Sequence, residues 1–155
     1  MTATAPSLLY LVKQLELSVR ARLTDLVRPA GITALQYTAL TVLERHDGLS
    51  TAQLARNSFV TAQAMADMVS ALEGRDLIRR ERNPDNRREL LIYLTGNGIA
   101  LLAELAEPVR HLEDQMTGGL DATQLRGALT SAWHALTEPE ARTAPPAEHR
   151  GQATK

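Results

Sequence analysis

Residues 77–95, LIRRERNPDNRRELLIYLT, constrain the fold more than any other part of this 155-residue chain. Two strand-like runs, 77–82 and 89–94, flank Asn83, Pro84, Asp85 and Asn86. Those four residues favour a turn through a preset φ, tolerance of the left-handed region and local side-chain bonds, so the segment predicts a β-hairpin. Arg79, Arg80, Arg82, Arg87 and Arg88 ride on its tip and flanks, which suits phosphate. Taken alone, the pattern fits a solvated hairpin with ordinary surface arginines equally well. The preceding residues turn it into the wing of a winged helix.

Three helix starts with one grammar come first. Thr33 is followed by Gln36 and Ser50 by Gln53, each pair at capping-box spacing, and Thr61 opens a third start. Ile32 with Tyr37, Leu49 with Leu54 and Val60 with Met65 bracket them as hydrophobic staples. The helices they open are expected over 34–46, 51–57 and 62–75, with Asp47-Gly48 closing the first and Asn57-Ser58-Phe59 as a tight joint before the third. A short helix, a three- or four-residue turn and a longer helix form a helix-turn-helix, which presents its second helix to the major groove of DNA.

In that third helix Met65, Met68, Val69 and Leu72 recur at helical spacing as a core face. The opposite face offers Thr61, Gln63, Ala64, Asp67 and Ser70, and Thr51 heads the helix before it. Gln63 suits a bidentate pair with an adenine edge, whereas Thr61 serves as a cap or as a phosphate contact. Asp67 repels phosphate and at best accepts from a cytosine amino group, which argues against high non-specific affinity.

Charge has to be read locally. The net charge of −1 gives no global support for a nucleic-acid partner, yet 75–88 carries six arginines against Asp76, Glu81 and Asp85. Residues 99–121 instead hold Glu104, Glu107, Glu113, Asp114 and Asp121 against Arg110. With only 3% aromatic residues there is no base-stacking platform, so duplex DNA is the better partner. The absence of cysteine excludes disulfides and thiolate chemistry. No signal-peptide core or membrane-length apolar run is visible, and a cytoplasmic protein with no membrane partner is expected.

Outside the winged unit lie long amphipathic helices. Leu8, Leu11, Val12, Leu15, Val19, Leu23 and Leu26 mark one over 7–28, stopped by Pro29 and Gly31. After the hairpin, Thr95 opens a helix with Ile99, Leu102, Leu105, Val109, Leu112 and Met116 on one face, and Pro108 is expected to kink it. Asp121 with Gln124 opens the last helix, whose stripe runs through Leu129, Ala132, Trp133 and Leu136 to 137. These stripes leave apolar surface that a two-fold partner would cover, so a homodimer is expected. The tail 138–155 has the composition of a disordered segment.

The order helix, capped helix, helix-turn-helix, arginine wing and two helices resembles the MarR family of transcriptional regulators over residues 7–137. The most specific part is RNPDNRRELLIYLT, 82–95, similar to the family's wing, in which a D-x-R element precedes an alternating strand ending in Leu-Thr. Here the aspartate position falls on Asn86 and the arginine on Arg88. MVSALEGRDLIRR, 68–80, resembles the end of the recognition helix and the first wing strand, with Asp76 where glycine is usual. Asp67 falls where many members carry arginine.

The resemblance implies one mainly α domain with a small β-wing: a winged helix-turn-helix over 32–94 and dimerisation helices over 7–31 and 95–137. The expected DNA-contact set is Thr51, Thr61, Gln63, Ala64, Asp67, Ser70, Asn86, Arg87 and Arg88. It further implies a homodimer on an imperfect inverted repeat, acting as a repressor released by a small, aromatic or phenolic molecule bound near the first, second and fifth helices. Arg20, Tyr37 and Arg110 are candidates for that ligand because they offer polar contacts in otherwise apolar helices, and surface or interface roles for them stay open.

The rivals are a metal sensor, an enzyme and a winged-helix interaction adaptor that does not bind DNA. His46, His111, His134 and His149 lack the spacing of a helical zinc site, and no metal or cofactor is expected. No nucleophile elbow, phosphate-cradling glycine loop or H-E-x-x-H is present. The adaptor draws on the acidic balance and Asp67.

Overall fold

The computed structural model describes residues 5–137, so the expected tail 138–155 and His149 lie outside the described residues. Ser7 caps α1 (Leu8–Val27) by accepting from the Tyr10 amide, and a 3₁₀ turn over Arg28–Ala30 follows. Next come α2 (Ala34–Arg45), β1 (Leu49–Ser50), α3 (Thr51–Asn57), α4 (Ala62–Gly74), β2 (Ile78–Arg82), β3 (Leu90–Leu94), α5 (Gly96–Thr117) and α6 (Ala122–Thr137). Thr33 and Ser50 both form complete capping boxes, with Gln36 and Gln53 returning the bond to the cap amide. Thr61 accepts from the Ala64 amide at 3.2 Å, and Asp121 takes the Thr123 and Gln124 amides.

The wing is one strand richer than its hairpin predicts. β1 pairs antiparallel with β3, placing Leu49 opposite Ile92, so the sheet runs β1-β3-β2. A strand of two residues has no periodicity to show, and Leu49 and Ser50 read as a staple and a cap. Gly48 makes the connection possible. Its φ of 75° is a left-handed conformation, and a Cβ there would stand 3.0 Å from the Tyr93 ring. The Gly48 amide donates to the Ile92 carbonyl, and the Asp47 carboxylate accepts from the Leu94 amide.

The core joins α2, α3 and α4 to the sheet. Leu40, Leu43, Leu54, Met65, Leu72, Ile78 and Ile92 are fully buried in it. Leu102 and Leu105 of α5 belong to the same cluster, with Leu105 only 7% exposed, so they leave the α5 stripe and serve the interior. α5 is one helix across Pro108, which has no N–H to donate to the Glu104 carbonyl. α1 and α6 differ from the rest. α1 buries Val27 alone, and α6 buries no residue. By contact the chain divides after Met116; Thr117 onward, with α6, is a separate unit.

Candidate nucleic-acid interface

Three α4 positions set its solvent face. Gln63, Asp67 and Ser70 are exposed, while Met65, Val69 and Leu72 turn to the core. Gln63 Nε2 lies 3.5 Å from Asp67 Oδ1, a long contact that leaves the amide available to a base edge. The Ser70 hydroxyl donates to the Ala66 carbonyl, and the Thr61 hydroxyl is committed as a cap. Ala64 is exposed in the first turn, whereas Thr51, at the start of α3, is half-buried.

The wing arginines divide by what their guanidinium groups touch. Arg79 lies over the Tyr93 ring, 4.8 Å from its centroid, and pairs with Glu81. Arg80 forms a two-pronged ion pair with Glu73, fastening β2 to the end of α4. Its guanidinium holds the Glu73 carboxyl below the usual carboxylate range. Arg82 reaches the Arg87 carbonyl at 3.3 Å, and Arg75 donates to the carbonyls of Ala30 and Gly31. Among the described residues no ion pair engages Arg87 or Arg88, which stand exposed at the wing tip. The turn is held by its asparagines. Asn83 takes the Asp85 amide and binds Glu89, and Asn86 Oδ1 accepts from the Arg88 backbone amide at 3.3 Å. Asn86 thus positions Arg88 through the backbone, a bond that needs an acceptor and no charge.

Asp76 accounts for a departure noted in the sequence. Its φ of 57° lies in the left-handed region, where glycine is the residue without strain. Asp76 offsets the cost by accepting from Asn97 Nδ2 at 2.7 Å, and its carbonyl accepts from the Thr95 hydroxyl at 2.6 Å.

Two cavities open on α1. The larger, about 850 Å³, is bounded by α1, the 3₁₀ turn, the start of α2 and the α3–α4 joint; its charged lining residues are Glu16, Arg20 and Arg28. The smaller, about 370 Å³, faces α2 and α5 and has Glu44, Arg45 and Glu113 in its wall. Val19, Leu23 and Met116 line both. Of the residues expected to meet a ligand, Arg20 lines the larger cavity and Tyr37 the smaller. Arg110 lines neither; it is exposed on α5 and paired with Glu107 and Asp114. The three do not converge. Burial pushes the Tyr37 hydroxyl up, and the Glu44 and Glu113 carboxylates add to that, so the smaller cavity disfavours an anion.

Sequence reading missed Ser58 and Phe59, which form the wall of the larger cavity at the joint. Ser58 is 2% exposed and its hydroxyl has no hydrogen-bond partner. Phe59 has φ 60° and is 82% exposed. A bulky residue in that conformation carries about 1–3 kcal/mol of strain. The one hint in the sequence is an aromatic residue in a turn between two capped helices.

The model of the MarR family matches residues 32–90, from the first staple to the first residue of β3. The HTH-type transcriptional repressor Rv2887 of Mycobacterium tuberculosis is 31% identical over 117 residues, spanning 76% of this chain and 84% of that protein. The chain belongs to the MarR family. Among solved structures, the transcriptional repressor CouR bound to a 23-mer DNA duplex superposes with a TM-score of 0.71 at 30% identity, covering 84% of this chain and 92% of that one. Rv2887 in complex with salicylic acid superposes with a TM-score of 0.65 at 29% identity, over 88% and 99% of the two chains. This MarR-family chain is a DNA-binding transcriptional regulator with a winged helix-turn-helix, and the adaptor reading loses its ground. Its family is one of regulators, and among the described residues no helix is long and apolar enough to cross a membrane.

Proposed function

We propose that this regulator is a homodimeric repressor that holds an imperfect inverted repeat and lets go when a small aromatic acid enters the larger cavity. The observation that carries the reading is the division among the arginines of residues 75–88: Arg75, Arg79, Arg80 and Arg82 each have a partner within the chain, leaving Arg87 and Arg88 at the wing tip for DNA. Gln63 and Ser70 on α4, with Thr61 and Ala64 at its leading end and Thr51 at the start of α3, are the major-groove side of the contact. Asn86 is the support of Arg88.

The ligand side rests on charge and on relatives. Arg20 and Arg28 line the larger cavity, paired with Glu16 and Asp25, whereas two glutamates and one arginine line the smaller, so a carboxylate finds more donors in the larger. That Rv2887 takes salicylic acid gives the probe. The homodimer is supported by α1 and α6, each of which leaves large apolar side chains exposed, Leu9 and Leu15 on one and Leu129 and Trp133 on the other.

A mobility-shift titration on the DNA upstream of the protein's own gene, with and without salicylate, tests this reading. A shifted complex that dissociates as salicylate rises is expected. A complex indifferent to salicylate would remove the proposed release, and absence of any shift with flanking DNA would remove the proposed site.

A further inference from the structure

We infer that α4 reads DNA through a row of hydrogen-bond acceptors, in which Asp67 selects cytosine by its N4 amino group. The inference rests on the proposed entry of α4 into the major groove. Gln63, Asp67 and Ser70 are four and three residues apart, so they share one face of the helix, and all three are exposed. The other exposed side chains of α4 are alanines, which bring no polar atom to that face. No lysine or arginine occurs in residues 61–74. The row therefore lacks the cation that most often meets guanine O6 and N7.

The bonds these side chains already make set what they can offer. The Ser70 hydroxyl spends its hydrogen on the Ala66 carbonyl at 3.1 Å, which leaves it lone pairs to present. A carboxylate only accepts, and among the described residues no ion pair engages Asp67. Glu73, the other acid of α4, is spent on Arg80. Gln63 brings Nε2 to 3.5 Å from Asp67 Oδ1. That contact is weak, but the charge on Asp67 decides which end of the amide comes near it, so the carbonyl is the end left for a base.

Base chemistry then decides between partners. Guanine shows the major groove only acceptors, and thymine an acceptor and a methyl group, so neither answers a carboxylate. Adenine and cytosine each show an amino group. Adenine's lies between its own N7 and the O4 of the paired thymine, two acceptors that repel a carboxylate. Cytosine's has guanine O6 on one side and its own C5–H on the other, so a charged acceptor favours cytosine. The charge has a second effect. Its repulsion of phosphate weakens binding to every duplex, and an amino group recovers part of that loss only where cytosine stands. An acid at this position therefore widens the gap between the operator and other DNA.

The test is selection of duplexes from a random-sequence library by the full-length protein, native and Asp67→Ala, with base preferences read by sequencing. Native protein should prefer cytosine about tenfold over each other base at one position of the selected half-site. In Asp67→Ala that preference should fall to within about twofold, while preferences at the other positions persist. The site is exposed and alanine favours helix, so the thermal midpoint of the variant should not fall; loss of stability would in any case weaken binding without altering preference at one base pair. Undiminished cytosine preference in Asp67→Ala, with Gln63→Ala or Ser70→Ala still changing the selected sequence, would overturn the inference alone. A guanine, adenine or thymine preferred at the position that responds to Asp67 would overturn it too. If all three variants select the native sequence, or the native chain selects none, α4 does not read bases, and the placement of α4 in the groove falls together with this inference.

Discussion

Arg87 and Arg88 share the wing tip, but Asn86 holds only Arg88 by its backbone, and that difference predicts different roles. Arg88→Ala should cost about 1–3 kcal/mol of operator affinity if the guanidinium enters the minor groove, whatever the salt concentration. Arg87→Ala should act through phosphate, lowering affinity for all sequences alike and reducing the salt slope by about one. Binding isotherms across a salt series separate the two, and native isotherms from both variants would remove the wing from the interface. Asp67 is exposed beside Gln63, and in the proposed interface its charge would repel the phosphates. Asp67→Asn keeps an acceptor for Gln63 and removes the charge, so operator and non-specific affinity should both rise, by about 0.5–1 kcal/mol at low salt. At this scale the sequence was least legible. It shows six arginines over 75–88 but not that Arg75 reaches carbonyls at Ala30 and Gly31, 45 and 44 residues away, or that Arg80 is spent on Glu73. An orphaned hydroxyl such as that of Ser58 exists only after the chain has folded around it.

Elements were legible where their causes are local. The capping boxes at Thr33 and Ser50 involve residues three apart, and α3 begins and ends where those signals place it. β1 was invisible because its cause is its partner, β3, more than forty residues on. The α5 stripe was read as a single seam, yet Leu102 and Leu105 pack into the core, a division that only the fold can make. α5 passes close to the chain just before β2: a Cβ at Gly98 of α5 would stand 2.2 Å from the Leu77 carbonyl oxygen. Gly98→Ala should therefore destabilise the protein by about 1–3 kcal/mol, measurable by denaturant unfolding, and an unchanged midpoint would mean that α5 does not press on the strand there. The Glu73–Arg80 pair gives a pH dependence. Because the folded carboxyl titrates below its ordinary range, its contribution is full above that range and fades as pH falls through the folded value. Both partners are partly exposed, so Glu73→Gln should cost no more than about 1 kcal/mol near neutrality and nothing in strong acid.

The whole molecule has a shortage of covered apolar surface. Trp133 is 54% exposed and α1 turns Leu8, Leu9, Leu11, Val12 and Leu15 outward, which the proposed two-fold partner would bury. Light scattering should give about twice 16.9 kDa, and Leu129→Asp should shift the protein towards monomer by placing an unpaired charge in that seam. A two-fold dimer presents its α4 helices to successive major grooves, so the half-sites should be centred about one helical turn apart. Hydroxyl-radical footprinting on the upstream DNA of the gene tests this most directly. The account predicts protection symmetric about a dyad, in two half-sites with flanking minor-groove protection that disappears in Arg88→Ala; protection of a single unsymmetrical half-site, or of no sequence in preference to another, would contradict it.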